Sequence, residues 1–186
     1  LADKVNVLIF PAGSENAIEI YDSLKYNLHF NVFGASGKVD HAEYIYPKEK
    51  LWLSNLYITD ERFIDEFNEV LDRFKIDFVI PTHDTIAVFL TKHRDEIHAE
   101  IVGSPYETAK IAENKKLTYE ALKDCPFSNA SYNSTDDIVR YPVFLKPHVG
   151  AGGKGTYLVS DRNELERILT KNPDHLVCEY LPGKEY

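Results

Sequence analysis

The first hundred residues alternate short apolar runs with stretches in which apolar positions recur every three or four residues. Val5-Asn6-Val7-Leu8-Ile9-Phe10, closed by Pro11-Ala12-Gly13, predicts a buried strand and a turn. Ser14 then stands at an N-cap position before Ala17, Ile20, Tyr21, Leu24 and Leu28, which lie at helical spacing. Phe30 to Phe33 predicts a second strand ended by Gly34, and Tyr44 to Tyr46 a short third. Asp60 opens the clearest helix, because Phe63, Ile64, Phe67, Val70, Leu71 and Phe74 share one face that must lie against a sheet. Phe78-Val79-Ile80-Pro81, a helix from about Asp84 to Lys92 and a strand at Ile101-Val102-Gly103 complete the series. Strands alternating with amphipathic helices imply an α/β fold with a parallel sheet.

From Pro105 the texture changes. Two helical stretches, Tyr106 to Glu113 and Lys115 to Lys123, precede a polar segment from Cys125 to Asp137 that reads as loop with one short strand. Tyr141 to Pro147 predicts a strand, and Thr156 to Ser160 another, with Gly150-Ala151-Gly152-Gly153-Lys154-Gly155 between them. Asp161 caps a helix carrying Leu165, Ile168 and Leu169, with Glu164 at the capping-box position, and Leu176 to Leu181 is the last strand. The change sets residues 1–104 apart from residues 105–186.

Composition narrows the partners. At 186 residues, 44% hydrophobic and 27% charged, the chain can bury one good-sized core or two small ones. A formal net charge of -9 with no run of five Lys/Arg argues against nucleic acid. Cys125 and Cys178 form neither a disulfide framework nor a metal-ligand spacing, which fits a reducing, cytoplasmic setting. The apolar run at Val5 to Phe10 is far shorter than the ~20 residues of a membrane span, so no membrane association is expected.

Gly150, Gly152 and Gly155 satisfy G-x-G-x-x-G, but a dinucleotide fingerprint requires a helix after the loop and here a strand follows. Strand, glycine loop, strand is a hairpin, in which such glycines can close backbone N–H groups over phosphates. It is not a Walker A loop, because Lys154 is followed by Gly155. A plain glycine-rich turn satisfies the loop alone. Lys146, on the strand entering the loop, can meet a phosphate or be an edge-strand lysine facing water. Cys178-Glu179-Tyr180-Leu181-Pro182-Gly183-Lys184-Glu185 is a strand running into a turn, able to read an adenine by its backbone and a ribose by a carboxylate. Its acids can equally be solvent-facing residues of a Pro-Gly turn.

Taken in order, Lys115, then Pro142-Val143-Phe144-Leu145-Lys146-Pro147, then Gly150 to Gly155, then Glu179 to Glu185 resembles the ATP-grasp superfamily, particularly short proteins akin to the large subunit of carbamoyl phosphate synthetase. The likeness spans about Pro105 to Tyr186. It implies that Lys115, after Asn114 where the family commonly has Asp, and Lys146 bind ATP phosphates. Gly150, Gly152, Gly153 and Gly155 would close over them, Glu179 and Leu181 would meet adenine largely through backbone, and Glu185 would bind ribose. It further implies that residues 1–104 form a Rossmann-like preATP-grasp domain with a parallel sheet, and residues 105–186 a partial α+β ATP-grasp domain. Pro81-Thr82-His83-Asp84 stands where such proteins often carry a Pro-x-x-Asp turn. Asp84 reads first as a helix N-cap and second as a substrate contact, and His148 as a loop residue.

ATP-grasp chemistry makes an acyl phosphate from a small carboxylate or bicarbonate and ATP, with Mg²⁺ bridging the phosphates. Beyond Lys146, Asp161, Glu164 and Glu166 belong to a helix, Asp174 to a Pro-Asp turn, and Glu179 and Glu185 to the adenine and ribose edge. No acidic pair is left for the metal, and no catalytic residue is assigned. The resemblance therefore implies an N-terminal fragment of a carbon–nitrogen ligase whose metal ligands lie in a later lobe; a homo-oligomer is admitted. A non-catalytic nucleotide or small-ligand binding module is the alternative. A nicotinamide-dependent dehydrogenase fits worst, since Val32-Phe33-Gly34-Ala35-Ser36 offers no ribose acid.

Overall fold

The computed structural model describes residues 4–38, 41–54, 56–126 and 130–184 and divides into two compact units, Leu1–Ala109 and Lys110–Tyr186. In the first, β1 (Val5–Phe10), β2 (Phe30–Ser36), β3 (Leu51–Leu53), β4 (Phe78–Pro81) and β5 (Glu100–Ile101) form one parallel sheet in the order β3-β2-β1-β4-β5. Helices α1 (Glu15–Leu24), α2 (Ala42–Ile45), α3 (Phe63–Phe74) and α4 (Asp84–Lys92) connect the strands. Strand β1 is buried on both faces, which is why its sequence is nearly all apolar. Leu8 and Phe10 pack with Phe63, Phe67 and Leu71 of α3, while Ile9 packs with Ala17, Val32 and Tyr46 on the other side.

Ser14 caps α1 by accepting from the Ala17 backbone N–H, as its position predicts. The helix ends sooner than its apolar spacing implies, and Leu28 is 80% exposed. The Asn27 carboxamide accepts from the His29 N–H at 2.8 Å, and this local turn outcompetes another helical turn. Residues 44–46 are not a strand. Tyr44 and Ile45 lie in α2, which lets buried Tyr46 pack against Tyr21 at 4.3 Å between ring centroids. The third strand is Leu51–Leu53, three half-buried residues too short to show a period.

Gly34 does not end β2. An added Cβ would lie 2.9 Å from Ala12 Cβ and 2.9 Å from a Tyr46 ring carbon, so the glycine is there to admit its neighbours. At the end of α3, Lys75 adopts φ 49° and the Ile76 N–H reaches back to the Leu71 carbonyl at 2.9 Å. This is a Schellman-type stop completed by the buried contact of Ile76 with Leu71, with a lysine where glycine is favoured.

The second unit contains the latter half of α5 (Tyr106–Glu113), then α6 (Lys115–Ala121), β6 (Ser131–Tyr132), β7 (Val143–Pro147), β8 (Tyr157–Val159), α7 (Arg162–Lys171) and β9 (His175–Glu179). Its four strands form an antiparallel sheet in the order β6-β9-β7-β8. Asp161 accepts from the Glu164 N–H at 2.9 Å, while the Glu164 carboxylate accepts from Ser160 N–H at 3.0 Å, one residue before the usual capping-box partner. Val143, Leu145, Val159 and Val177 bury one sheet face against Leu165, Ile168 and Leu169 of α7. No helix among the described residues is long and apolar enough to cross a membrane.

Three outcomes are expected. Gly34→Ala should lose about 1–3 kcal/mol in urea unfolding, because the new methyl overpacks against Ala12 and Tyr46. Lys75→Gly should gain up to about 1 kcal/mol in the same assay by relieving the left-handed backbone. A thiol reagent followed by mass spectrometry should label exposed Cys125 in the native protein and both thiols only after unfolding, since Cys178 is buried and burial pushes its thiol up.

Candidate functional site

Alternation along β7 sends Val143 and Leu145 into the core and Phe144 and Lys146 to the opposite face. Across the antiparallel ladder Phe144 faces Cys178, and Lys146 faces Leu176, so these four share that face. Because β7 lies between β9 and β8, Lys146 is not an edge-strand lysine. It is half-buried, and its Nζ donates to the Tyr119 hydroxyl at 2.9 Å. Burial pushes the Cys178 thiol up, against the opposing pull of the Lys146 charge and a hydrogen bond with Tyr119.

Lys115 opens α6. Its backbone N–H donates to the His148 carbonyl at 2.8 Å, and its Nζ donates to the Gly150 carbonyl at 2.6 Å. Asn114 caps the helix, its side-chain oxygen accepting from the N–H groups of Lys116 and Leu117, so Asn serves here as Asp would. The loop from Gly150 to Gly155 joins β7 to β8 in a hairpin, as the sequence predicts, and is exposed. Gly152 and Gly153 sit at φ 64° and 67°. An added Cβ at Gly152 would meet nothing within 4 Å, so backbone conformation alone requires glycine there. Thr156 closes the loop through its N–H and hydroxyl to the Gly153 carbonyl, and His175 Nε2 lies 2.8 Å from the Gly155 carbonyl.

Glu179 ends β9. Its N–H donates to the Ala130 carbonyl at 3.0 Å and its carboxylate accepts from the Ala130 N–H at 3.2 Å, so the side chain is tied to its neighbouring strand and not free in solvent. Beside it lies a cavity of about 480 Å³ lined by Tyr119, Lys123, Ala130, Ser131, Asn133 and Glu179 among others. Leu181 is 61% exposed, and Glu185 lies outside the described residues. The structure thus brings Lys115 onto the glycine loop and Lys146 onto Tyr119 of the same helix, with Glu179 two strand positions from Tyr132's partner Val177. Tyr119 is the residue the sequence reading missed. Its position one turn after Lys115, on the same helix face, is the signal that could have found it.

In the first unit a cavity of about 790 Å³ opens at the carboxyl ends of β1 and β2, lined by Pro11, Ser14, Ser36, Lys38, His41 and His83 among others. His83, not Asp84, occupies the N-cap position of α4, and no side-chain capping bond forms there. Asp84 is instead the first helical residue, where a carboxylate complements the helix dipole. Among the described residues no three His, Cys, Asp or Glu side chains converge in a way that could hold a metal ion. The described acids therefore do not fit a Mg²⁺ site.

Residues 112–186 match the ATP-grasp domain family. The uncharacterized protein MG011 of Mycoplasma genitalium is 32% identical over 134 residues, covering 70% of this chain and 42% of that protein. The carbamoyl phosphate synthase large chain of Archaeoglobus fulgidus is 28% identical over 116 residues, covering 54% of this chain and 11% of the relative. Among solved structures, N5-carboxyaminoimidazole synthetase from Staphylococcus aureus, complexed with ADP, superposes with a TM-score of 0.70 over 99% of this chain and 49% of that one, at 18% identity. At that identity the superposition speaks to the fold, and the chain spans less than half the length of each of these proteins. The parallel sheet followed by an antiparallel one is the fold of these proteins, and the match over residues 112–186 identifies that stretch as part of an ATP-grasp domain.

Proposed function

We propose that residues 110–186 bind ATP, and that the protein carrying them is a carboxylate–amine ligase resembling the carbamoyl phosphate synthetase large subunit, activating a small carboxylate or bicarbonate as an acyl phosphate. The observation that carries this reading is the 2.6 Å hydrogen bond from Lys115 Nζ to the Gly150 carbonyl. It places a helix-borne ammonium against a loop of left-handed glycines, with Lys146 on the strand that feeds the loop. Two lysines beside the backbone N–H groups of an exposed glycine loop form a phosphate-binding arrangement in which charge and hydrogen bonding act together.

The base of the nucleotide belongs in the cavity beside Glu179 and Asn133, with the exposed Leu181 two residues further along the chain. Residues 1–104 take the part of a preATP-grasp domain, a reading supported by the parallel order of its strands. Ser36, at the end of β2, supplies no carboxylate for a nicotinamide ribose, which disfavours the dehydrogenase alternative. Cytoplasmic placement and Mg²⁺-dependent turnover complete the proposal. A nucleotide-binding module without turnover would use the same lysines, and magnesium-dependent release of ADP with bicarbonate or a carboxylate separates the two.

Binding is tested most directly at Lys146. Lys146→Met keeps much of the aliphatic stem and removes the charge, so ATP affinity by calorimetry should fall roughly ten- to a hundredfold, the equivalent of a charge-assisted contact of ~1.5–3 kcal/mol. Adenosine, which has no phosphate, should bind the variant and wild type alike. Unchanged ATP affinity would remove Lys146 from the site, and an equal loss for adenosine would trace the effect to the fold.

A further inference from the structure

The hydrogen bond between Lys146 and Tyr119 belongs to no motif in the sequence, yet it fixes the one lysine that the sheet itself presents. Tyr119 stands on α6 one turn after Lys115, and its hydroxyl accepts from Lys146 Nζ at 2.9 Å. The ammonium lies 4.7 Å from the ring centroid, farther than from the oxygen, so the charge-assisted hydrogen bond and not the ring face is the main attraction. Cys178, 1% exposed, shares the sheet face with Lys146, diagonal to it across the β7–β9 ladder, so the lysine stem leaves the sheet beside a packed neighbour and ends on the phenol oxygen.

We propose that Tyr119 is a positioning residue for Lys146, holding its ammonium in place before the nucleotide arrives, an inference that rests on the nucleotide-binding reading above. A lysine side chain loses more rotamer freedom on ordering than almost any other, so a lysine already tethered gives up less when a phosphate binds. The tether does not compete with the phosphate. An ammonium has three donors, and the phenol takes one.

Two measurements on the whole chain test this. In the ligand-free protein labelled with ¹³C-lysine, the two Hε protons of Lys146, assigned by their loss in Lys146→Met, should have separate shifts that merge in Tyr119→Phe as the ammonium is freed. A pair that stays separate in Tyr119→Phe would overturn the tether. By calorimetry, Tyr119→Phe should weaken ATP binding about three- to tenfold. The same substitution in a Lys146→Met background should have no further effect, and adenosine should bind all four proteins alike, because Tyr119→Phe keeps the ring that lines the cavity and removes only the oxygen engaged by Lys146. Unchanged or tighter ATP binding by Tyr119→Phe would overturn the proposal, as would an equal loss in the Lys146→Met background or with adenosine. If wild type binds neither ATP nor adenosine, the nucleotide reading falls and takes the proposal with it. Failure of the proposal alone is recognised by normal wild-type ATP binding that Tyr119→Phe leaves untouched.

Discussion

The two-residue alternation of β7 is the constraint on which the second unit depends. Val143 and Leu145 are anchored beneath α7, and this leaves Phe144 and Lys146 no choice but the other face. A slip of one residue would exchange the two sets, exposing the core residues and burying an ammonium without its partner. The core and the candidate site are therefore held by the same register, Val143 against Glu179 through Pro147 against His175. Stability and lysine placement cannot be varied independently along this strand.

The first unit depends in the same way on β1, whose two faces are both covered. Phe10 reaches Phe63 and Phe67, with ring centroids 5.8 and 5.0 Å away, while Ile9 faces Ala17 and Val32. Long amphipathic segments were legible for this reason: the face of α3 had to match a sheet, although the helix begins at Phe63 and not at Asp60, whose carboxylate accepts from the Arg62 N–H just before it. The misreadings share a physical cause. Gly34 looks like a strand end because glycine usually weakens a strand, whereas here it answers to the bulk of Tyr46 across from it. Leu28 continues a helical period that the Asn27 side chain interrupts, and Leu51–Leu53 is shorter than any window in which a period can be seen.

The site divides along similar lines. Local pieces were readable: the hairpin flanking the glycines, Asn114 as a cap, and Lys146 on its strand. What the sequence did not reveal were pairings across distance. Lys115 with Gly150 and Lys146 with Tyr119 are separated by 35 and 27 residues, and nothing in the order of side chains specifies that such groups meet. Glu179 was read as part of a strand running on to Leu181, whereas β9 ends at Glu179, and the tie of its carboxylate to the Ala130 N–H depends on the pairing of β9 with β6, a strand of only two residues. Asp84 illustrates the opposite error. A residue type suited to capping falls one position inside the helix, and the cap position goes to His83, which has no suitable acceptor in place.

The hairpin of β7 and β8 is fastened at both ends, from Val143 opposite Val159 to Leu145 opposite Tyr157, while the segment between Pro147 and Tyr157 carries the glycines. Closing a longer loop between fixed ends adds only about 0.6 kcal/mol for each doubling of length. Extra residues near Gly152, where there is open space, would leave the ladder intact while changing how far the loop can extend. A single extra residue within β7 would instead invert its two faces. Length variation among related chains should accordingly collect in the loop and be absent from the strand that feeds it, so that the loop's reach can diverge while Lys146 stays where it is.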